Sequence, residues 1–451
     1  MNIKQILKAT NGKHINGDIN TNISNYCFDS RKLNKNDFYL PIFNDIIDAH
    51  KYILDIVKSG AIGFIYSKDN SKKVAEAILL NKNLCVIEVD NVKEALINMA
   101  SFNRSLNTKT KVIGITGSVG KTSTREMIYS VLSTHFDCLK TDENFNGDIG
   151  LPFTLLSLTD QDVAIIEHGI DYIGEMDKLV EVSKPNISVV TNISTSHIEN
   201  FGSKENIYKE KIKITKYSDV SFLNKDDEIL STCNLNNIKY FSKEDIKDLN
   251  INENKTEYTT KIYNKDVKIT INALGYHNIY NSLVSIKIAE YLKIPVDKIL
   301  FGIANYKNFD RRFEVIQKNN YTIIDDAYNS NLDSIISGIT TISRMKAKRK
   351  IIVLGDILVQ GEFSKETHTK VGEFLKNYTK IHKFDILITI GEYTKDISKL
   401  VMDNFKTLIH CSSNDEIYNY LESIVSNDDI IYFKASNGFN FKEIIEKLKK
   451  R

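Results

Sequence analysis

The run GITGSVGKTS at 114–123 constrains this chain more than any other part of it. An apolar stretch at 111–115 leads into the glycines, and a helix is predicted to leave them, from 122 to about 133. A glycine turn between strand and helix aims backbone N–H groups at one point near the positive end of the helix, where phosphate oxygens are stabilised. Lys121 is then placed to neutralise β- and γ-phosphate charge, and the Thr122 hydroxyl to ligate Mg²⁺. Thr116, Gly117, Ser118, Val119, Gly120, Lys121, Thr122 and Ser123 are therefore the candidate nucleotide-binding residues. The strict pattern G-x-x-x-x-G-K-[ST] would need Gly at 115, where this chain has Ile, so the loop is a variant.

A chain of 451 residues is too long for one core, and about three domains are expected. We read 1–106 as a first unit. Its N-terminal helix carries Ile3, Ile6 and Leu7 on one face and stops at Asn11-Gly12. Buried strands are predicted at 61–66 and 84–89, and a helix at 91–106. The second unit, 107–308, holds the phosphate loop and strands predicted at 163–167 and 187–191, so it reads as a mostly parallel sheet. Residues 235–270 break that rhythm as a small antiparallel excursion, and helical spacing resumes after Gly275. The third unit, 309–451, alternates strands (322–325, 350–354, 386–390, 430–433) with helices (333–343, 365–378, 394–403, 414–425, 440–450). That is a doubly wound, Rossmann-like α/β pattern, with Asp325, Asp326, Asp356 and Lys434 at strand ends where ligands bind.

Charge is balanced, 60 basic against 58 acidic residues, so no nucleic-acid partner is indicated. No window has the roughly 18 apolar residues of a membrane span, and no leader pattern opens the chain. The five cysteines show no metal-type spacing and read as reduced thiols of a cytoplasmic protein.

Further segments match one family in order: FDSR (28–31), NFNGDIGLP (144–152), IIEHG (165–169), PNISVVTNISTSHIENFGS (185–203), GYHNIYN (275–281), RRFE (311–314), DDAYNSN (325–331), VLGD (353–356) and KASNG (434–438). With TGSVGKTS they resemble the Mur ligases and the related folylpolyglutamate synthetases. The resemblance implies a three-domain Mur architecture, with a central P-loop ATPase-like parallel sheet and a C-terminal Rossmann-like domain. It also implies ATP-dependent amide bond formation through an acyl phosphate. Within the family, DDAYNSN and NFNGDIG are most similar to members that add D-alanyl-D-alanine to a UDP-N-acetylmuramoyl tripeptide. No D-N-P-R motif of the diamino-acid-adding members is present. Several positions depart from the usual family pattern. They are Leu332 for Pro, Asp148 for Glu, His168 for Met or Leu, Lys213 for Glu, and VLGDILVQG without the acid of VLGDMLELG. A paralogue adding another amino acid or dipeptide, including an archaeal pseudomurein ligase, is the alternative.

The resemblance also implies roles. Glu167 and His197 become Mg²⁺ ligands beside Thr122. His277, Asn278, Asn281, Arg312 and Asp326 become ATP contacts. Ser30, Arg31, Asn146, Asn329, Asn331 and Lys434 become contacts for a UDP-linked muramyl peptide and the incoming amino acid or dipeptide. Lys211, eight positions after Ser203, becomes a lysine carbamylated by CO₂ that serves metal and catalysis with Lys121 and His197; Lys209 is its register-shifted alternative. A carbamate is anionic and suits Mg²⁺, and its formation needs a neutral amine, hence a depressed lysine pKa. A monomer is expected. A phosphate-loop switch ATPase and a catalytically dead binding paralogue are the competing classes.

Overall fold

Hydrophobic patterning in this chain resolves into successive α/β units, each on a mainly parallel sheet, and the fold is the three-domain α/β architecture that the sequence leads one to expect. The computed structural model describes residues 1–42, 48–142, 144–251, 255–308, 311–318 and 320–450. Residues 309 and 310, at the expected junction of the second and third units, lie outside them.

Asn2 opens the first helix, Ile3–Thr10, through a capping box with Gln5, and Asn11 ends it in the left-handed region. Ile3 and Ile6 are fully buried against the first sheet. Among the described residues that sheet runs Lys13–Asn16, Cys85–Val89, Gly63–Ser67, Phe38–Tyr39, Tyr26–Cys27, antiparallel only in the first pair. The helix Val92–Leu106 closes this unit but belongs equally to the next. Its face of Val92, Ala95, Leu96, Met99 and Ala100 joins a core continuous with Leu151, Leu155, Leu179 and Val180. Asn103 donates to the carbonyls of Leu155 and Leu158, both at 2.8 Å, and buried Arg104 donates to the Ser183 carbonyl at 3.0 Å. Buried polar groups satisfied this way would be orphaned by separation, so the two units are welded together.

The central sheet is parallel throughout, in the order Ile238–Phe241, Val220–Asn224, Ile187–Val190, Lys111–Thr116, Val163–Glu167, Cys138–Lys140. The antiparallel excursion is Ile246–Ile251, Thr256–Ile262 and Lys265–Ile271. It begins later than the composition implies, because Ile238–Phe241 pairs with the parallel sheet. The third sheet runs Glu314–Gln317, Tyr321–Asp325, Asp429–Lys434, Arg349–Gly355, Ile386–Ile390, Thr407–Cys411, and only its first strand is antiparallel. Strands buried on both faces, such as Ile386–Ile390, read as unbroken apolar runs because helices cover both sides. The five cysteines are all free, and no helix among the described residues is long and apolar enough to cross a membrane.

Candidate active site

The carboxyl ends of the central and third sheets face one cleft of about 1150 Å³. Its floor is the phosphate loop. Gly120 holds φ +83° and opens the helix Lys121–Leu132. Gly117, at φ +146°, lets Thr191 approach so closely that a Cβ there would lie 1.9 Å from Thr191 Oγ1. Ser118 and Ser194, and Val119 N–H and Asn192 Oδ1, stitch the loop to the neighbouring strand end. Thr116 is buried, donating to the His168 carbonyl at 2.9 Å. Ile115 sits in the core of the strand, so the position that lacks the expected glycine makes no turn. Lys121 donates to the Gly117 carbonyl at 2.8 Å; burial lowers its pKa, with Glu167 opposing. Ser123 is buried on the loop helix.

Glu167 ends its strand in the cleft, almost fully buried. Its carboxylate accepts from Thr122 Oγ1 (2.9 Å), Asn146 Nδ2 (2.9 Å) and Arg125 Nη1 (3.3 Å). Thr122 hydroxyl and Glu167 carboxylate together are hard oxygen donors of the kind Mg²⁺ prefers. Arg125 was not singled out from sequence. It lies three residues after Thr122 on the same helix, hence on the same face, and that spacing is the signal that finds it.

His197 lines the cleft at φ +59° with Nδ1 3.3 Å from Asp171 Oδ1. Burial lowers its pKa, against the pull of Asp171. Lys211 is buried at the end of the helix Lys204–Lys211, whereas Lys209 is exposed, so the geometry favours the first register. Burial, then the charge of Lys121, push the Lys211 ammonium well below its ordinary pKa. Among the described residues no salt bridge holds it. Lys213 pairs with Glu210 and Asp177, both at 2.7 Å, and leaves Lys211 alone.

The third domain brings Arg312, Asp326 and Lys434. Arg312 stacks 4.1 Å above the Tyr328 ring, and its buried Nε has no hydrogen-bond partner among the described residues. An orphaned cationic donor facing a phosphate loop is what a bound polyphosphate would satisfy. Asp326 accepts from Phe313 N–H, Tyr432 OH and Lys434 Nζ, the last at 2.9 Å. By contrast Asp325 pairs with Arg311, and Asp356 accepts from the Tyr393 and Thr394 N–H groups; both are structural. His277 opens its helix in the cleft, its pKa lowered to about 4 by burial. Asn278 does not cap that helix. It is buried and donates to the Leu274 carbonyl. Asn281 reaches the cleft and accepts from Thr124, tying this helix to the loop helix.

The residues expected to hold substrate are dispersed. Asn146 is in the cleft on Glu167. Asn329 is exposed at its rim, and Asn331 is the N-cap of the helix Leu332–Arg344, with Nδ2 donating to Ser196 across the domain interface. Ser30 and Arg31 lie outside the cleft, and Arg31 makes an exposed bidentate pair with Asp29. Tyr328 and Asp171, which also line the cleft, were not assigned from sequence, although each sits inside or beside a matched motif.

The family model for the Mur ligase middle domain matches residues 115–289, and the model for the Mur ligase glutamate ligase domain matches 311–437. A UDP-N-acetylmuramoyl-tripeptide–D-alanyl-D-alanine ligase of Bacillus subtilis is 28% identical, over 99% of this chain and 98% of the relative. Among solved structures, MurF from Acinetobacter baumannii superposes with a TM-score of 0.86 at 22% identity, covering 100% of this chain and 99% of that one. The Thermotoga maritima MurF ligase in complex with ADP gives 0.80 at 23%, covering 94% and 97%. With both domain models matched in order and the same three-domain fold, this chain belongs to the Mur ligase family.

Proposed function

We propose that the chain is an ATP-dependent ligase that adds D-alanyl-D-alanine to a UDP-N-acetylmuramoyl tripeptide in peptidoglycan precursor synthesis, working in the cytoplasm as a monomer. The observation that carries this reading is the meeting, in one cleft, of Lys121, Thr122 and Glu167 from the central domain with Arg312, Asp326 and Lys434 from the third.

A carboxylate resists amines because it is anionic and offers a poor leaving group. ATP supplies the phosphoryl group that makes it reactive, and Mg²⁺ supplies positive charge against the transferred group. Lys121, Arg312 and the N–H groups that open the loop helix at Lys121 cradle the phosphates. Thr122 and Glu167 would hold the ion, and a carbamylated Lys211 with His197 would provide a second place for one. Carbamylation needs a neutral amine to form the N–C bond to CO₂ with loss of a proton, and burial, which pushes the Lys211 ammonium well below its ordinary pKa, favours that form. Asp326 and His277 border the nucleoside, while Asn278 and Asn281 fix the helix that carries His277. Ser30 and Arg31 contact the UDP-sugar, Asn146 the acyl end of the peptide, and Asn329, Asn331 and Lys434 the incoming amine. Closure of the third domain on the central one excludes water from the acyl phosphate.

The test is phosphate release, and then a substrate panel. With ATP alone the purified protein should stay nearly silent, and both acceptors together should start turnover. Among D-Ala-D-Ala, D-Ala-D-Ser, D-Ala-D-lactate and single amino acids, the first should be preferred. Preference for a single amino acid would assign the chain to a different Mur-type ligase, and steady hydrolysis without acceptors would make it an ATPase.

A further inference from the structure

Three consecutive residues, Asn144, Phe145 and Asn146, each engage a different domain. Asn146 Nδ2 donates to Glu167 at 2.9 Å, inside the central domain. Asn144 Oδ1 accepts from the hydroxyl of Tyr328, the third-domain residue whose ring carries Arg312. Phe145 packs on Phe28 of the first domain, with ring centroids 5.7 Å apart, and Phe153 closes the triad at 4.9 Å from Phe28 and 5.9 Å from Phe145. Tilted and edge-on rings of this kind attract through their quadrupoles as well as by burial.

Hydrogen bonds and close packing hold these residues in place. Phe145 N–H donates to the Asp142 carbonyl, Asn146 N–H to Asn144, and the Asn146 carbonyl accepts from Gly169 N–H. Behind it a Cβ on Gly150 would lie 2.2 Å from Phe145 Cα. A displacement of Phe145 therefore moves Asn144 and Asn146 with it. Phe28 is the first residue of the 28–31 segment, so the aromatic triad joins that loop to the carboxylate beside the phosphate loop.

We infer that residues 144–146 are a coupling element: Phe28 and Phe145 on one side and Tyr328 and Asn144 on the other set, through Asn146, the orientation of Glu167. Occupancy of the 28–31 loop and docking of the third domain are both transmitted to the metal-binding carboxylate. Phe28, Asn144, Phe145 and Tyr328 are positioning residues, acting on Glu167 through Asn146. The inference rests on the ligase reading above for the identity of the ligands, but its test does not use turnover.

Calorimetry with Mg·ADP, and with ADP in excess chelator, is the measurement. Phe28→Leu and Tyr328→Phe should each weaken Mg·ADP binding by about threefold or more, the lower range for coupled neighbours, and leave metal-free ADP binding unchanged. In an Asn146→Ala background neither should have any further effect, because the route to Glu167 is already cut. Phe28→Tyr, which keeps the ring, should behave as the parent does, and thermal unfolding verifies that each variant is folded. If Phe28→Leu and Tyr328→Phe leave Mg·ADP affinity unchanged, or weaken it equally with and without Asn146, there is no coupling. A protein that shows the predicted pattern yet forms no peptide product would refute the ligase reading alone. An active ligase without the pattern would refute this one alone.

Discussion

Replacing His168 by Met should make the protein markedly more tolerant of mild acid. His168 is fully buried between the strand Val163–Glu167 and the helix Glu175–Ser183, its Nε2 2.8 Å from Ser183 Oγ and its Nδ1 3.1 Å from the Ile166 carbonyl. Burial holds its pKa at about 4 against an ordinary 6.5. A group whose folded pKa is depressed contributes fully above pH 6.5, and that contribution is lost as pH falls towards 4, because the unfolded chain binds the proton first. From 6.5 down to 5, at ~1.4 kcal/mol per unit, the folded state loses roughly 2 kcal/mol. At pH 7.5 the variant gives up neutral hydrogen bonds worth about 1 kcal/mol each and regains part of that through apolar burial. Other titrating groups are common to both proteins and cancel in the comparison. Thermal unfolding of the ligand-free pair from pH 7.5 to 5.0 is the assay. At ~2–4 °C per kcal/mol for a domain of this size, the wild-type midpoint should fall some ~4–8 °C further than that of His168→Met. Parallel curves would show that His168 carries no such proton linkage.

The remaining predictions concern the cleft and its neighbours. Lys211→Ala should cut ligase turnover by about 100-fold or more, with partial recovery in short-chain carboxylic acids at fixed bicarbonate, while Lys209→Ala stays active; a fully active, acid-indifferent Lys211→Ala would refute the carbamate. Lys121→Ala should abolish product while leaving the fold intact, because it removes the buried cation at the phosphate loop; near-normal turnover in the folded variant would overturn its assignment. Gly117→Ala forces a Cβ into Thr191 and should cost at least about 1–3 kcal/mol of stability together with ADP affinity, part of it recovered by Thr191→Ala; unchanged ADP binding by calorimetry would show that the loop yields. Arg31→Ala should change stability by less than about 0.5 kcal/mol, since Arg31 is itself exposed and makes only a surface pair, and weaken UDP-peptide binding; unchanged affinity would remove Arg31 from the substrate site.

Local signals carried well from sequence to structure. The strands at 163–167 and 386–390 appear with the expected bounds, and the helix at 365–378 begins one residue early, because long apolar runs and 3.6-residue spacing are properties of the segments themselves. The edge strand Thr407–Cys411 was missed, being half-exposed and without clear alternation. So was Val220–Asn224, which needs its parallel neighbours to be distinguished from any short apolar run. The junction near 106 also looked cleaner in sequence than it is, since periodicity reports that 91–106 is a helix and says nothing of the two cores it serves.

The same division explains the cleft. Lys121, Thr122 and Gly120 were legible because one short turn dictates their geometry. Arg312 and Asp326 stood out by motif, but their partners, Tyr328 and Tyr432, are fixed only when distant strand ends meet. Asn331 is the instructive case. In sequence it offers an amide to a ligand; in the fold its oxygen starts a helix and one of its N–H groups bridges to Ser196. A side chain so engaged is held in one orientation with a single hydrogen free. If it meets the incoming amine's carboxylate at all, it does so with one bond and only after the third domain has docked. Selectivity for that substrate must then depend on the docked arrangement as much as on the residues nearest it.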